Sequence, residues 1–271
     1  MAQKSLVEAT YKTPRPWKTG LLALFYLGLL TALVFLPGAS LLDRLRWLDS
    51  GICAQLPSHS FYPGGERLPL CARNTGIYLG FIITLITFYA TGRGRAQRLP
   101  PWPIMVVLVL GIVALVVDGF NSFFLDLGLN HLYQPHNLLR LATGLATGLA
   151  LASLGLPFLN RLLWREYREQ RSISSWGGLI LLLPGVILSF FAVASQNGLV
   201  LYPIALLSTA GILTVLSSVN LIVIVAASKR DQTFERYRGL LPFFGLALLL
   251  TIGEMLVLAQ LKLSLLQMLG I

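Results

Sequence analysis

Residues 199–227 read LVLYPIALLSTAGILTVLSSVNLIVIVAA, a run of 29 residues without one charged side chain. A transmembrane helix needs about 20 apolar residues, because each residue advances the helix by about 1.5 Å and the hydrocarbon core of a bilayer is about 30 Å thick. The run is therefore typical of a membrane-spanning helix that is tilted, kinked or extended past the bilayer at one end.

Similar apolar runs recur along the whole chain. They lie at residues 19–37, 75–91, 102–118, 138–159, 177–195 and 240–260. The composition agrees, because 55% of the 271 residues are hydrophobic and 12% are charged, about half the charged share of a soluble domain. We predict an all-α integral membrane protein of the cell membrane, a polytopic bundle of about seven transmembrane helices that forms a single membrane domain over residues 1–271.

The basic residues predict the orientation of these spans. Most of the 21 Lys and Arg lie in the N-terminal arm and in residues 92–98, 161–171 and 228–238, which share one side of a seven-span bundle. Because positive side chains near span ends stay on the cytoplasmic side, we predict a cytoplasmic N-terminus and an extracytoplasmic C-terminus. The formal charge of +10 then reflects topology and contact with anionic headgroups, and we predict no nucleic-acid partner.

The first apolar run has a second interpretation. A basic N-terminus and an apolar run that ends at Pro37-Gly38-Ala39-Ser40 also resemble a cleaved signal peptide. The apolar part of such a peptide has about 7 to 15 residues, and this run is longer. We therefore expect the first span to be retained.

The segment between the first two spans is a long extracytoplasmic loop, residues 38–74, and binding residues often lie in such loops. Its opening stretch, Leu41–Asp49, reads LLDRLRWLD. Large apolar residues alternate there with charges, which is typical of an amphipathic segment lying in the membrane interface.

The loop continues as CAQLPSHSFYPGGERLPLCARNTGIYLG, residues 53–80. This stretch resembles the signature of a family of uncharacterised prokaryotic polytopic membrane proteins, roughly C-x-Q-x-P-x-x-S-F and then L-P-x-C-x-R-C-T-G-I-Y. The matching residues are Cys53, Gln55, Pro57, Ser60, Phe61, Leu68, Pro69, Cys71, Arg73, Thr75, Gly76, Ile77 and Tyr78. A second part of the resemblance lies within residues 75–150, at Asp118-Gly119 and at 137–144. The resemblance implies a membrane fold and no activity, because the family is a domain of unknown function.

The two cysteines of the chain, Cys53 and Cys71, have three interpretations. Both fall on the predicted outer side, where oxidising conditions permit the structural disulfide that we predict. The second interpretation is a reactive thiol pair. The third is a metal site with His59, but Asn74 stands where the family pattern has the second cysteine of a C-x-x-C pair, and we predict no metal.

Charged and amide side chains at the outer ends of the spans form the predicted ligand-binding site. They are Arg73, Asp118, Arg140, Glu254, Asn74 and Asn121. Charges at membrane depth are costly and mark ion pairs or functional sites. In one interpretation Asp118 and Glu254 neutralise Arg73 and Arg140. In the other, one arginine is left free to hold a carboxylate or phosphate with its planar guanidinium.

Small residues recur at intervals of four in LATGLATGLALASLG, residues 141–155. Gly144, Gly148 and Ala152 have the spacing that lets another helix approach closely. Packing within the chain and dimerisation both fit this pattern.

Three functions are consistent with these observations. We predict an outer-face polar site that binds or handles an anionic lipid or small amphiphile. The alternative is a non-catalytic accessory or assembly subunit that docks onto a membrane-protein partner through the long outer loop. A transporter is less favoured, because the spans show no clear inverted repeat. The sequence has no P-loop, nucleophile elbow or H-E-x-x-H motif, so it identifies neither a reaction nor a cofactor.

Overall fold

The computed structural model describes residues 24–28, 31 and 35–269. The chain divides into two compact units, Met1–Leu36 and Pro37–Ile271. In the first unit residues 24–28 are helical. Most of the predicted first span and of the basic N-terminal arm lies outside the described residues. Everything below concerns the second unit.

Eight α-helices follow one another in the second unit, within residues 37–269. They are α1 (Leu41–Asp49), α2 (Ala72–Ala90), α3 (Trp102–Asp126), α4 (Asn137–Leu163), α5 (Trp176–Ile180), α6 (Leu183–Ala194), α7 (Leu201–Ala227) and α8 (Tyr237–Leu269). The predicted spans from the second to the seventh all coincide with helices, the fifth being divided between α5 and α6. The described residues contain no β-strand, and the prediction of an all-α membrane protein is confirmed.

Five helical segments of the described chain are long and apolar enough to cross a membrane. They are Trp102–Asp126, Asn137–Leu163, Trp176–Ala194, Gly198–Ala227 and Tyr237–Met268. Helix α2 covers the predicted second span but is not among these five. Its first turn carries Arg73 and Asn74, which lower its mean hydropathy. The total of seven spans and the sidedness of the termini stay predictions.

Helices α2 and α4 pack backbone to backbone through glycines. A Cβ at Gly144 would overlap the carbonyl oxygen of Arg73, and a Cβ at Gly148 would overlap that of Ile77. On α2, Gly76 and Gly80 face the carbonyl oxygens of α4 in the same way. The small-residue spacing therefore serves packing within the chain, and it brings the outer ends of α2 and α4 together.

Helix α1 is part of the bundle. Ser40 and Asp43 form a reciprocal capping box at its start, which fixes where the helix begins. Leu42, Leu45 and Leu48 are buried, and the helix packs against α7 and α8. The segment that we expected to lie free in the membrane interface thus buries its apolar side inside the protein.

At the opposite end of the bundle, Asn160 of α4 forms hydrogen bonds with the connection between α2 and α3. Its amide group donates to the carbonyl oxygens of Gly94 and Ala96 at 3.1 and 2.8 Å. The guanidinium of Arg95 then stacks over the rings of Trp164 and Tyr237, 3.8 and 4.6 Å from their centroids. These contacts order the end of the molecule that we predict to be cytoplasmic.

Candidate functional site

Three helix ends meet at the predicted outer side and form a polar group that we call the arginine cluster: Arg73, Asp118, Ser122, Asn137 and Arg140. Arg73 comes from the first turn of α2, Asp118 and Ser122 from the last turns of α3, and Asn137 and Arg140 from the first turn of α4. The close glycine packing of α2 on α4 places the two arginines beside each other.

Arg73 and Asp118 form an ion pair. Nη2 of Arg73 lies 2.6 Å from Oδ2 of Asp118 and 3.0 Å from Oγ of Ser122. The side chain of Asp118 is 1% exposed and that of Arg73 22%. Tyr133 donates its hydroxyl to the other carboxylate oxygen, Oδ1, at 3.0 Å. Both oxygens of Asp118 are thus occupied, as a buried carboxylate requires.

Arg140 has no such counter-ion. The residue is 4% exposed, its Nη1 donates to Oδ1 of Asn137 at 2.7 Å, and its Nε donates to Ser122 Oγ at 3.4 Å. Among the described residues no carboxylate oxygen lies within 4.0 Å of its guanidinium, and Nη2 makes no hydrogen bond. Asp118 is paired with Arg73. Asp126, the other acid near Arg140, contacts His59 instead and lies beyond 4.0 Å of the guanidinium, so Arg140 has no directly bound counter-ion.

The connection between α3 and α4 folds around Asn121. Its Oδ1 accepts the backbone amides of Leu132 and Tyr133, at 2.7 and 3.2 Å, and its amide group donates to the carbonyl of Tyr133 at 2.8 Å. Asn121, which we predicted as a ligand-binding residue, therefore holds Tyr133 in place. The hydroxyl of Tyr133 in turn donates a hydrogen bond to Asp118. Its hydrogen-bonding groups face protein backbone.

The outer loop closes over one side of the cluster. The amide group of Asn137 donates to the carbonyls of Ser58 and Ser60 at 3.1 and 3.3 Å. Nε2 of His59 lies 3.3 Å from Oδ1 of Asp126. Burial lowers the pKa of His59, so at neutral pH this contact is a hydrogen bond that the neutral ring donates to the carboxylate. His59, considered above as a metal ligand, is engaged with α3 instead.

Glu254 lies elsewhere in the molecule. Its Oε2 accepts a hydrogen bond from Nδ2 of Asn220 at 2.9 Å on α7, and it is not within 4.0 Å of either arginine. The pairing of Glu254 with Arg73 or Arg140 that we considered is therefore absent. A uniformly apolar helix gives no signal for which neighbour a side chain faces, so the sequence could not identify Asn220 as the partner of Glu254.

Ser122, Tyr133 and Asp126 belong to the site, and the sequence interpretation missed them. Ser122 lies one helical turn after Asp118, so the i, i+4 spacing on one face could have identified it. Asp126, the last residue of α3, follows Ser122 by another four residues and could have been identified in the same way. Tyr133 reaches the site only through the folded connection between α3 and α4, which carries no recognisable pattern.

The predicted disulfide is absent, and this part of the sequence interpretation needs correction. Cys53 and Cys71 are free thiols, the first buried and the second half-buried. The sulfur of Cys53 accepts the backbone amide of Cys71 at 3.3 Å. A hydrogen bond from the Cys71 side chain lowers the pKa of Cys53 to about 6, and the same bond raises the pKa of Cys71. The cysteines meet through hydrogen bonds at the start of α2, where amide donors favour a thiolate.

Asn74, the last residue of the predicted ligand site, lies beside these sulfurs. Its side chain donates to Cys53 and its backbone amide donates to Cys71, and both contacts lower the pKa of the sulfur that receives them. Asn74 therefore contacts the cysteine pair, although it directly follows Arg73 of the arginine cluster.

A cavity of about 470 Å³ lies between α2, α4, α7 and α8, toward the end of the bundle that holds Trp164 and Tyr237. Its lining carries no charged side chain and is dominated by Leu, Phe and Val. Such a cavity suits an apolar chain and offers nothing to an anion.

Comparisons with known proteins point to one family. A family model described as a predicted membrane protein, DUF2085, matches residues 53–154, the region in which the arginine cluster and the cysteine pair lie. An uncharacterized protein of Methanothermobacter thermautotrophicus is 33% identical over 104 residues, which are 38% of this chain and 83% of the relative. One of Methanocaldococcus jannaschii is 26% identical over 118 residues, 43% of this chain and 69% of the relative. No solved structure matches the chain.

Proposed function

The chain belongs to the DUF2085 family of predicted membrane proteins, and we propose that its arginine cluster binds the anionic headgroup of a membrane lipid or a similar amphiphile. Arg140 holds the phosphate or carboxylate, beside Arg73, whose charge Asp118 neutralises. Binding is the activity proposed, since no side chain in the cluster is arranged as a nucleophile with its base.

The charge balance of the cluster carries this proposal. Arg140 is a largely buried arginine with no carboxylate within 4.0 Å, and an approaching anion would stabilise its charge. Its unoccupied Nη2, next to the occupied Nη1, offers the planar fork that binds phosphate or carboxylate with two hydrogen bonds.

The surface beside the cluster supports an amphiphile rather than a free ion. Phe120, Phe123 and Phe124 are exposed on the same turns of α3 as Asp118 and Ser122. In a membrane these rings face acyl chains, so a ligand with a charged head and an apolar tail meets matching chemistry at both ends.

Native mass spectrometry of the full chain in mild detergent tests the proposal. Purified protein is titrated with phosphatidylglycerol, and with phosphatidylcholine as the zwitterionic comparison. We expect Arg140→Gln to weaken phosphatidylglycerol binding by about tenfold or more, the usual cost of losing a buried charged hydrogen-bond partner. Arg140→Lys keeps the positive charge but loses the planar guanidinium. We expect its affinity for phosphatidylglycerol to lie between those of the original chain and Arg140→Gln.

Arg161→Gln is the matched control, because it removes the same charge from the opposite end of the same helix. Thermal unfolding of each variant shows whether the fold is intact. Equal phosphatidylglycerol binding by the original chain, Arg140→Gln and Arg161→Gln would overturn the proposal.

An accessory or assembly subunit is the second candidate function. Its expected docking surface is the long outer loop, but in α1 of that loop Leu45 is buried and Trp47 half-buried where the helix packs in the bundle. A partner would therefore need another surface, and Glu254 favours one.

A further inference from the structure

Glu254 is a carboxylate on the exposed side of a membrane-spanning helix. It is exposed although it lies in the middle of the candidate span Tyr237–Met268. Among the described residues its one polar contact is the hydrogen bond from Asn220, and no Lys, Arg or His nitrogen lies within 4.0 Å. A charged group in such a position is energetically costly unless a cation or a hydrogen-bond donor of another molecule pairs with it.

The depth of Glu254 follows from Lys262, on the same helix. The ammonium group of Lys262 donates to the carbonyls of Ser50, Cys53 and Ala54, in the outer loop. Eight residues separate Glu254 from Lys262, which places Glu254 about 12 Å further along the helix at about 1.5 Å per residue. That distance brings it into the apolar part of the span.

A ladder of polar side chains between α7 and α8 holds Glu254 in place. Ser217 donates to Oγ1 of Thr251 at 3.2 Å, and Asn220 donates both to that atom at 3.0 Å and to Glu254 at 2.9 Å. The carboxylate is thus oriented before any partner arrives, with Oε1 free of hydrogen bonds to the described residues.

The face around Glu254 suits a neighbouring helix. Val223 and Val257, each within one turn of the Asn220–Glu254 pair, are 60% and 61% exposed. A Cβ at Gly253 would meet nothing within 4 Å, so none of the residues that the structure describes covers that glycine. A second helix could approach closely there, as small residues allow in membranes.

This chain contains no cation that could serve the carboxylate. No Lys or Arg occurs in residues 19–43, 74–92, 99–139, 141–160, 172–228 or 239–261. All basic residues therefore lie at the ends of apolar runs, and a second copy of the chain could not offer one at mid-depth.

We infer that the α7–α8 face at Asn220 and Glu254 docks a transmembrane helix of a different protein, one that carries a Lys or Arg near mid-membrane. Charge pairing with Glu254 fixes the register, and Val223, Val257 and Gly253 supply the close apolar contact. The inference is independent of the headgroup proposal and provides the surface that an accessory subunit needs.

Site-specific photo-crosslinking of the full chain in its native membranes tests the inference. A photoreactive amino acid replaces Val257, or Leu110 of α3 as a control of nearly equal exposure, 59%. We expect position 257 to yield one crosslinked protein whose spanning segment contains Lys or Arg, and position 110 not to yield it. Glu254→Gln should lower the yield about tenfold or more, while Glu235→Gln, in the connection before α8, should leave it unchanged.

Charge reversal completes the test. Glu254→Lys should abolish the crosslink, and the reciprocal Lys→Glu or Arg→Glu change in the identified partner should restore it. Crosslinks to lipid alone, to a second copy of this chain or to a protein without a basic residue in its span would overturn the inference. Lipid binding by the arginine cluster is measured separately, so either proposal can fail alone.

Discussion

Arg140 and Arg73 are chemically identical side chains that the fold treats differently. The carboxylate of Asp118 neutralises Arg73, whereas Arg140 is held by a hydroxyl and an amide, which carry no charge. Counting residues along the spans predicted that Arg73, Asp118 and Arg140 share one depth. It could not predict which arginine keeps the carboxylate, because that depends on the rotation of three helices about their axes.

A different buried acid gives a prediction for stability against pH. Asp49 is fully buried, and it accepts one hydrogen bond, from Thr209 at 2.7 Å, while its Oδ1 has no partner among the described residues. Burial raises its pKa from 3.8 to about 7. Between these two values the unfolded chain releases the proton and the folded chain keeps it, so stability should fall as the pH rises from about 4 to about 7, by up to about 4 kcal/mol.

Asp49→Asn should remove this dependence and make the protein more stable than the original chain at pH 8. Thermal unfolding of both proteins in detergent at pH 4.5, 6 and 8 measures the pH dependence of their stability. A melting temperature of the original chain that does not fall across this range would contradict the assignment of the raised pKa to Asp49.

At the scale of the helices, sequence pattern and structure agree best. Apolar runs predicted the positions of the helices from α2 to α8, because length and hydropathy are properties of the chain alone. The surroundings of α1 were not predictable, since an amphipathic pattern shows that one face is apolar but not whether lipid or protein covers it. The cysteine pair was mispredicted for a similar reason. Oxidising surroundings permit a disulfide, but the fold uses the sulfur of Cys53 as a hydrogen-bond acceptor.

The glycine contact between α2 and α4 predicts that the effect of a glycine-to-alanine change on stability depends strongly on its position in α4. Gly148→Ala should destabilise the protein by about 1 to 3 kcal/mol, the usual cost of overpacking, because the new methyl group meets the backbone of α2. Gly155→Ala on the same helix should be neutral or stabilising by up to about 1 kcal/mol, since a Cβ there meets nothing within 4 Å. Unfolding in detergent measures the free energy of unfolding of both variants. Equal effects of the two changes would argue against the close α2–α4 contact.

At the scale of the whole molecule, two regions of the described chain present different polar chemistry. The arginine cluster, in which Arg140 has no directly bound carboxylate, lies at the predicted outer side, whereas Glu254 is an acidic side chain on the α7–α8 face. The assignment of sides rests on the distribution of Lys and Arg, a signal that the sequence carries and that the fold alone does not test.

Cysteine labelling of intact cells tests this orientation. In a background with Cys53→Ser and Cys71→Ser, Gln267→Cys should react with a membrane-impermeant maleimide, and Tyr167→Cys should react only after the cells are opened. The reverse pattern would turn the arginine cluster toward the cytoplasm.

The most direct test of the central claim is a structure of the full chain in lipid nanodiscs that contain phosphatidylglycerol. We predict density for a phosphate group within about 3 Å of the Arg140 guanidinium, the distance of a charge-assisted hydrogen bond. A guanidinium that contacts only protein groups, or a carboxylate of the chain in place of the phosphate, would contradict the account.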